Sequence, residues 1–124
     1  MKKAIQSNDA PAAIGPYSQA ICAGGMIYVS GMLGIDSADG NLKVTVTEQA
    51  EQALKNLTAV LKEAGTDTGS VVKTTVFITD MGAFAAVNEI YAKYFSAPFP
   101  ARSCVQVSAL PKGGLFEIEA IAEV

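Results

Sequence analysis

Arg102 is the only arginine in 124 residues, and it stands in the run Phe99-Pro100-Ala101-Arg102-Ser103-Cys104-Val105 at the head of a strand-like segment. Pro98 and Pro100 fix their own φ and hold the residues before them extended, so the side chain leaves a stiffened turn with little freedom of direction. A guanidinium presents a planar fork of donors that meets a carboxylate or phosphate in two parallel charge-assisted hydrogen bonds, which an ammonium cannot do. Three readings fit such an arginine: an anchor for a small anion, one half of a structural ion pair, or an ordinary surface arginine.

The remaining chemistry-bearing side chains narrow the choice of reaction. The chain has no histidine, and its two cysteines, Cys22 and Cys104, form no CxxC pair. This removes histidine general bases, most zinc sites and the Ser-His-Asp and Cys-His nucleophile arrangements. Carboxylates, tyrosine, backbone groups and water are left. Cys104, close to Arg102, reads either as a thiolate nucleophile or as a small residue whose backbone matters, and with no histidine to activate it the second is preferred. Ser30-Gly31 closes an apolar run with a hydroxyl and a bare backbone, which suits either a bulge or the close approach of a ligand. Glu117, Glu119 and Glu123 share one face of the last strand-like segment, a face that is ordinarily solvated.

The elements that must position these groups follow from pattern. Residues 18–23 and 26–30 are apolar runs split by Gly24-Gly25, a β-hairpin opened by Tyr17 behind the Gly15-Pro16 turn. Thr45 and Glu48 have capping-box spacing, and Ala50, Ala53, Leu54, Leu57, Val60, Leu61 and Ala64 recur at helical intervals until Gly65. Residues 71–79 are β-branched and aromatic with apolar residues on both parities, which predicts a strand covered on both faces. Asp80 caps a second helix that ends at Pro98, the Arg102 strand follows, and residues 115–124 alternate as a final strand. The order predicts an α+β fold, a mixed sheet with two helices on one face.

Bulk properties bound the partners. One domain, residues 1–124, is expected from length. Half of the residues are apolar and only 17% charged, more apolar than a small monomer needs, which points to a subunit interface. A net charge of −3 and eight scattered lysines offer no basic patch for nucleic acid. The polar run after Met1-Lys2-Lys3 lacks the apolar core of a secretory leader, and no segment approaches the ~18 apolar residues of a membrane span. A cytoplasmic protein with free thiols is the expectation.

Six stretches together carry a resemblance. They are Gly15-Pro16-Tyr17-Ser18-Gln19-Ala20, Val29-Ser30-Gly31, Val72-Lys73-Thr74-Thr75-Val76-Phe77, Val87-Asn88-Glu89-Ile90-Tyr91, Pro100-Ala101-Arg102-Ser103-Cys104-Val105 and Ile118-Glu119-Ala120-Ile121-Ala122. In this order they resemble the RidA (YjgF/YER057c/UK114) family of reactive-imine deaminases, from about Ile5 to the end of the chain. The resemblance implies a chorismate-mutase-like protomer with a six-stranded mixed sheet, three of which pack into a homotrimer with ligand sites between subunits. It implies hydrolysis of 2-iminobutanoate and 2-iminopropanoate, released by pyridoxal-phosphate-dependent dehydratases, to 2-ketoacids and ammonia, with no metal or cofactor. It further implies that Arg102 grips the substrate carboxylate and Glu117 positions or activates water. Backbone groups near Gly31 and Cys104 would complete the alignment, Tyr17 would line the site from a neighbouring subunit, and Ser30 and Asn88 would shape it. A non-catalytic ketoacid- or amino-acid-binding trimer, and the RNA-cleaving or translation-inhibiting activity of some relatives, are the alternatives. Three features depart from many relatives: Met32 replaces a glutamine, Gln106 replaces a glutamate, and the Ser96-Ala97-Pro98 segment is shorter. The first two are expected near the cleft.

Overall fold

In the computed structural model, which describes residues 1–124, six strands form one sheet in the order β1-β2-β3-β6-β4-β5. The strands are β1 (Lys3–Ile5), β2 (Ala20–Ala23), β3 (Met26–Leu33), β4 (Val71–Ile78), β5 (Ala101–Gln106) and β6 (Phe116–Glu123). All neighbours are antiparallel except β4 and β5. Between β4 and β5 the chain crosses over through helix α2 (Phe84–Ala92), as a parallel pair requires. Gly24 and Gly25, at φ 58° and 77°, make the tight β2–β3 turn in a conformation that favours glycine.

Helix α1 (Val46–Glu63) begins at the expected capping box, in which Thr45 Oγ1 accepts from the Glu48 backbone N–H and Glu48 accepts from that of Thr45. Its apolar stripe, Ala50, Ala53, Leu54, Leu57, Val60 and Leu61, is fully buried. It meets the like face of the sheet, where Ile27, Val29, Val76, Ile78, Phe116, Ile118, Ala120 and Ala122 close the core with Val87, Tyr91 and Phe95 of the α2 region. Strand alternation then forces the other residues to the opposite face. That face has no covering layer within one chain, and Tyr28 and Val105 remain 46% and 42% exposed there.

The α+β architecture with both helices on one face is as expected, with three differences in detail. Strand β1 goes unnoticed in the sequence because three residues carry no period; its register on β2, Lys3 opposite Cys22 through Ile5 opposite Ala20, comes from the partner strand. Tyr17 does not open a strand: β2 starts at Ala20, and Gln19 before it is tied to Ser7 through its side chain and to Ser30 through its carbonyl. Asp80 caps not α2 but a single 3-10 turn, Met81–Ala83, by accepting from the Gly82 N–H. No helix is long and apolar enough to cross a membrane.

Two buried amides on α1 pin the loops bordering the sheet. Asn56 donates through Nδ2 to the carbonyls of Leu33 and Ile35 at 3.0 and 2.9 Å. Gln49 donates to Lys43 O and accepts from Leu115 N. Asn56→Leu keeps the side chain's branching and heavy-atom count but orphans two carbonyls, each costing more unpaired than the bond returns. Urea unfolding is expected to show a loss of about 2–4 kcal/mol.

Candidate functional site

The β3–β6 ladder contains the irregularity on which one half of the site is built. Val29 lies opposite Ala120 and Met32 opposite Ile118, so β3 spends one residue more than β6 over the same stretch. This is a β-bulge, of the kind that re-aims side chains beside functional sites, and it falls on Ser30-Gly31. A Cβ built on Gly31 would stand 2.6 Å from Glu117 Oε2. Glycine is therefore what allows the Glu117 carboxyl to lie against the bulged backbone.

Glu117 faces a cleft of about 920 Å³ bordered also by Tyr17, Ser30, Gly31, Glu119 and Lys112. Its carboxyl accepts no hydrogen bond within the chain, so its lone pairs are available to water. Burial chiefly, and the nearby Glu119 charge secondarily, push its pKa above the ordinary glutamate value, the direction that suits a base working nearer neutrality. Ser30 is committed elsewhere: its hydroxyl donates to Ser18 O at 2.6 Å and its N–H to Gln19 O at 2.9 Å. The cleft wall formed by residues 7–11 is held by Gln19, which is 3% exposed. Its Oε1 accepts from Ser7 N, and its Nε2 donates to the carbonyls of Ser7, Ala10 and Pro11. Tyr17 stays half exposed at the rim.

Arg102 lies elsewhere. On β5 it pairs with the buried Thr74 of β4, so it shares the helix-facing parity while Glu117 has the opposite one. There its guanidinium is half-buried against α2. Nη1 donates to Asn88 Oδ1 at 2.7 Å, and Cζ lies 4.7 Å from the centre of the Tyr91 ring and 5.4 Å from that of Phe84. The chain's ion pairs, Lys43–Asp36 and Lys93–Glu51, leave it out. Of the three readings of the lone arginine, an ion pair within the chain is thus removed, and the contact with two rings sets the side chain apart from an ordinary surface arginine. A cation stacked on two rings, with one of five donors engaged, keeps an open fork.

The sequence-derived residues therefore fall into two groups. Tyr17, Ser30, Gly31 and Glu117 border one cleft, while Arg102 and Asn88 meet at the sheet edge, with Cys104 two residues along β5. One chain does not unite them. Cys104 is partly buried, and burial pushes its thiol pKa up, with Arg102 only partly offsetting this; a resting thiolate is disfavoured. Met32 borders the cleft but is itself 5% exposed and part of the core, so it does not set the polarity of the opening. Gln106 does not border this cleft: its Oε1 accepts from Met81 N at 2.7 Å and ties β5 to the turn before α2. Phe84 and Tyr91 escape attention in the sequence because aromatics at helical spacing read as core. Gln19 lies inside a quoted motif, yet nothing in its type foretells its four bonds.

Gly31→Ala is the sharpest local test of the Glu117 half. The atom an added methyl would meet is the end of a side chain, so the fold can absorb it by swinging the carboxyl away. A Tm within about 3 °C of the parent, together with at least about tenfold loss of whatever turnover depends on Glu117, is the expected outcome.

Comparison with known proteins adds an independent finding. The model of the Endoribonuclease L-PSP family matches residues 7–124. The 2-iminobutanoate/2-iminopropanoate deaminase of Mus musculus is 54% identical over 123 residues, 98% of this chain and 91% of that protein. YyfA of Yersinia pestis, from the conserved Rid protein family, superposes with a TM-score of 0.98 at 52% identity over the whole of both chains. E. coli TdcF, crystallised with bound serine, superposes at 0.95 with 43% identity over 98% of each chain.

Proposed function

Because this chain belongs to the RidA (YjgF) family, that of the Endoribonuclease L-PSP model, we propose that it is a 2-iminobutanoate/2-iminopropanoate deaminase whose site is assembled between subunits. The observation that carries the reading is Arg102: a lone guanidinium, half-buried, stacked on Tyr91 and Phe84, and outside every ion pair of the chain. A fixed cation without an acidic partner is matched to a small anion from outside. An α-imino acid carries a carboxylate on the carbon next to its reactive centre. The serine bound to TdcF has the same α-nitrogen and carboxylate.

The division of the site residues between two places supports assembly from two copies. The Arg102 edge of one protomer would close over the Glu117 cleft of the next. A homotrimer that turns its uncovered sheet faces inward would also bury Tyr28 and Val105. With the carboxylate held in the Arg102 fork, the protonated C=N carbon is electrophilic without further activation, so the scheme asks for no metal or cofactor. Glu117 takes a proton from the attacking water as its oxygen bonds to that carbon, giving a carbinolamine. It returns the proton to nitrogen and then accepts the hydroxyl proton as the C–N bond breaks. Ketoacid and ammonia leave, and the ammonia carries the proton away as ammonium. The imines would come from pyridoxal-phosphate-dependent dehydratases acting on serine and threonine. RNA cleavage fits less well with an acidic chain, pI 4.8, without histidine.

A coupled assay tests the proposal. A threonine dehydratase supplies the imine and semicarbazide competes for it; added protein should speed ketoacid release and reduce semicarbazone in proportion. No acceleration, together with tight 2-ketobutyrate binding, would replace the deaminase by a ligand-binding trimer.

A further inference from the structure

Behind the guanidinium lies a polar pair that the reaction does not call for. Tyr91 is 6% exposed and Thr74 fully buried, and their hydroxyls share a hydrogen bond of 2.8 Å. Phenylalanine and valine would fill nearly the same volume with no hydroxyl to satisfy. Exchanging both members of such a pair for apolar isosteres is nearly neutral for stability, so packing alone does not require it. What the bond does is join the one ring nearest Arg102 to the strand beside it. Thr74 of β4 is the register partner of Arg102 on β5, and Tyr91 is on α2. The hydrogen bond therefore locks helix, strand and ring together at the level of the guanidinium.

We propose that Tyr91, pinned by Thr74, is a positioning residue that sets the plane of the Arg102 guanidinium. The Tyr91 ring lies against one side of the group at 4.7 Å, with Phe84 at 5.4 Å, and Asn88 engages Nη1. Together they remove the rotations about the last side-chain bonds that a free arginine would have to give up on binding. Nε–H and Nη2 are then presented as a preformed fork for a planar carboxylate. This rests on the reading of Arg102 as the carboxylate anchor, and adds what aims it.

A single arginine makes the test direct, because a nitrogen-15-labelled chain gives one arginine Nε–H signal. In the parent protein that signal should be displaced by the ring currents of Tyr91 and Phe84, and rigid on the nanosecond scale. Tyr91→Leu should return it toward the free-arginine position and weaken 2-ketobutyrate binding about tenfold, between what an exposed and a desolvated cation–π contact supply. Should Tyr91→Leu fail to fold, the isosteric Thr74→Val/Tyr91→Phe protein keeps the ring and the volume. It should fold, show a more mobile Nε–H, and bind ketobutyrate several-fold more weakly, with Tyr91→Phe beside an intact Thr74 intermediate between it and the parent. A parent signal at the free-arginine position, or a double variant with unchanged Nε–H mobility and affinity, overturns the inference. A displaced, rigid signal that answers to Thr74→Val/Tyr91→Phe but ignores ketobutyrate supports the aiming device and overturns the deaminase reading instead.

Discussion

Arg102→Ala protein is expected to lose at least about a hundredfold in kcat/KM for 2-iminobutanoate while its urea-unfolding midpoint falls only modestly. The two halves of this expectation come from the same geometry. The guanidinium takes no part in an ion pair within the chain, so the fold loses the bond to the half-exposed Asn88 and the contact with two rings, about 1–2 kcal/mol. Under the proposed function the substrate, in contrast, would lose the fork that holds its carboxylate. Arg102→Lys should recover little, since an ammonium keeps the charge but cannot form two parallel bonds or stack flat on Tyr91. An Arg102→Ala protein that still speeds ketoacid formation normally would sink the functional account.

Glu117→Gln should be as severe for a different reason. The amide occupies the same place against Gly31 but cannot accept a proton, and general-base assistance contributes about 10²–10⁴-fold. In the parent the acid limb of the rate profile should lie above the ordinary glutamate range, because burial and Glu119 raise the pKa of Glu117; in the variant the limb should vanish. Stability moves the opposite way. With its pKa raised in the folded state, Glu117 binds its proton more tightly folded than unfolded, so its contribution worsens as pH rises through the folded value. Glu117→Gln should therefore melt no lower than the parent at pH 7, with any advantage gone below about pH 4. A variant that melts markedly lower at pH 7 would show that the charged carboxylate is a structural partner instead.

The two inactive proteins also test the shared site together. Because Arg102 and Glu117 stand on opposite faces of the sheet, a site made from two protomers needs each residue from a different one. Arg102→Ala and Glu117→Gln chains refolded together in equal amounts should form intact sites at about one quarter of their interfaces. A corresponding fraction of parental activity should return, whereas a site contained within one chain would recover none.

Much of this protein is legible without coordinates. The glycine pair, the capping box with its helical period, the β-branched run and the final alternation place the hairpin, α1, β4 and β6, because each of these signals is carried by residue types a few positions apart. The special standing of Arg102 is legible because it is unique and mounted between prolines and a strand. Tertiary structure alone decides the rest. The bulge at Ser30-Gly31 exists only as a mismatch between two strands distant in sequence, and it puts the Glu117 carboxyl against a bare backbone. Phe84 and Tyr91 sit at spacings that any core helix would show, and only the β4–α2–β5 crossover makes them the bed of a guanidinium. Strand parity sends Arg102 and Glu117 to opposite faces, a separation that depends on register and crossover. Residue type determines which groups can do chemistry; long-range pairing decides which of them meet.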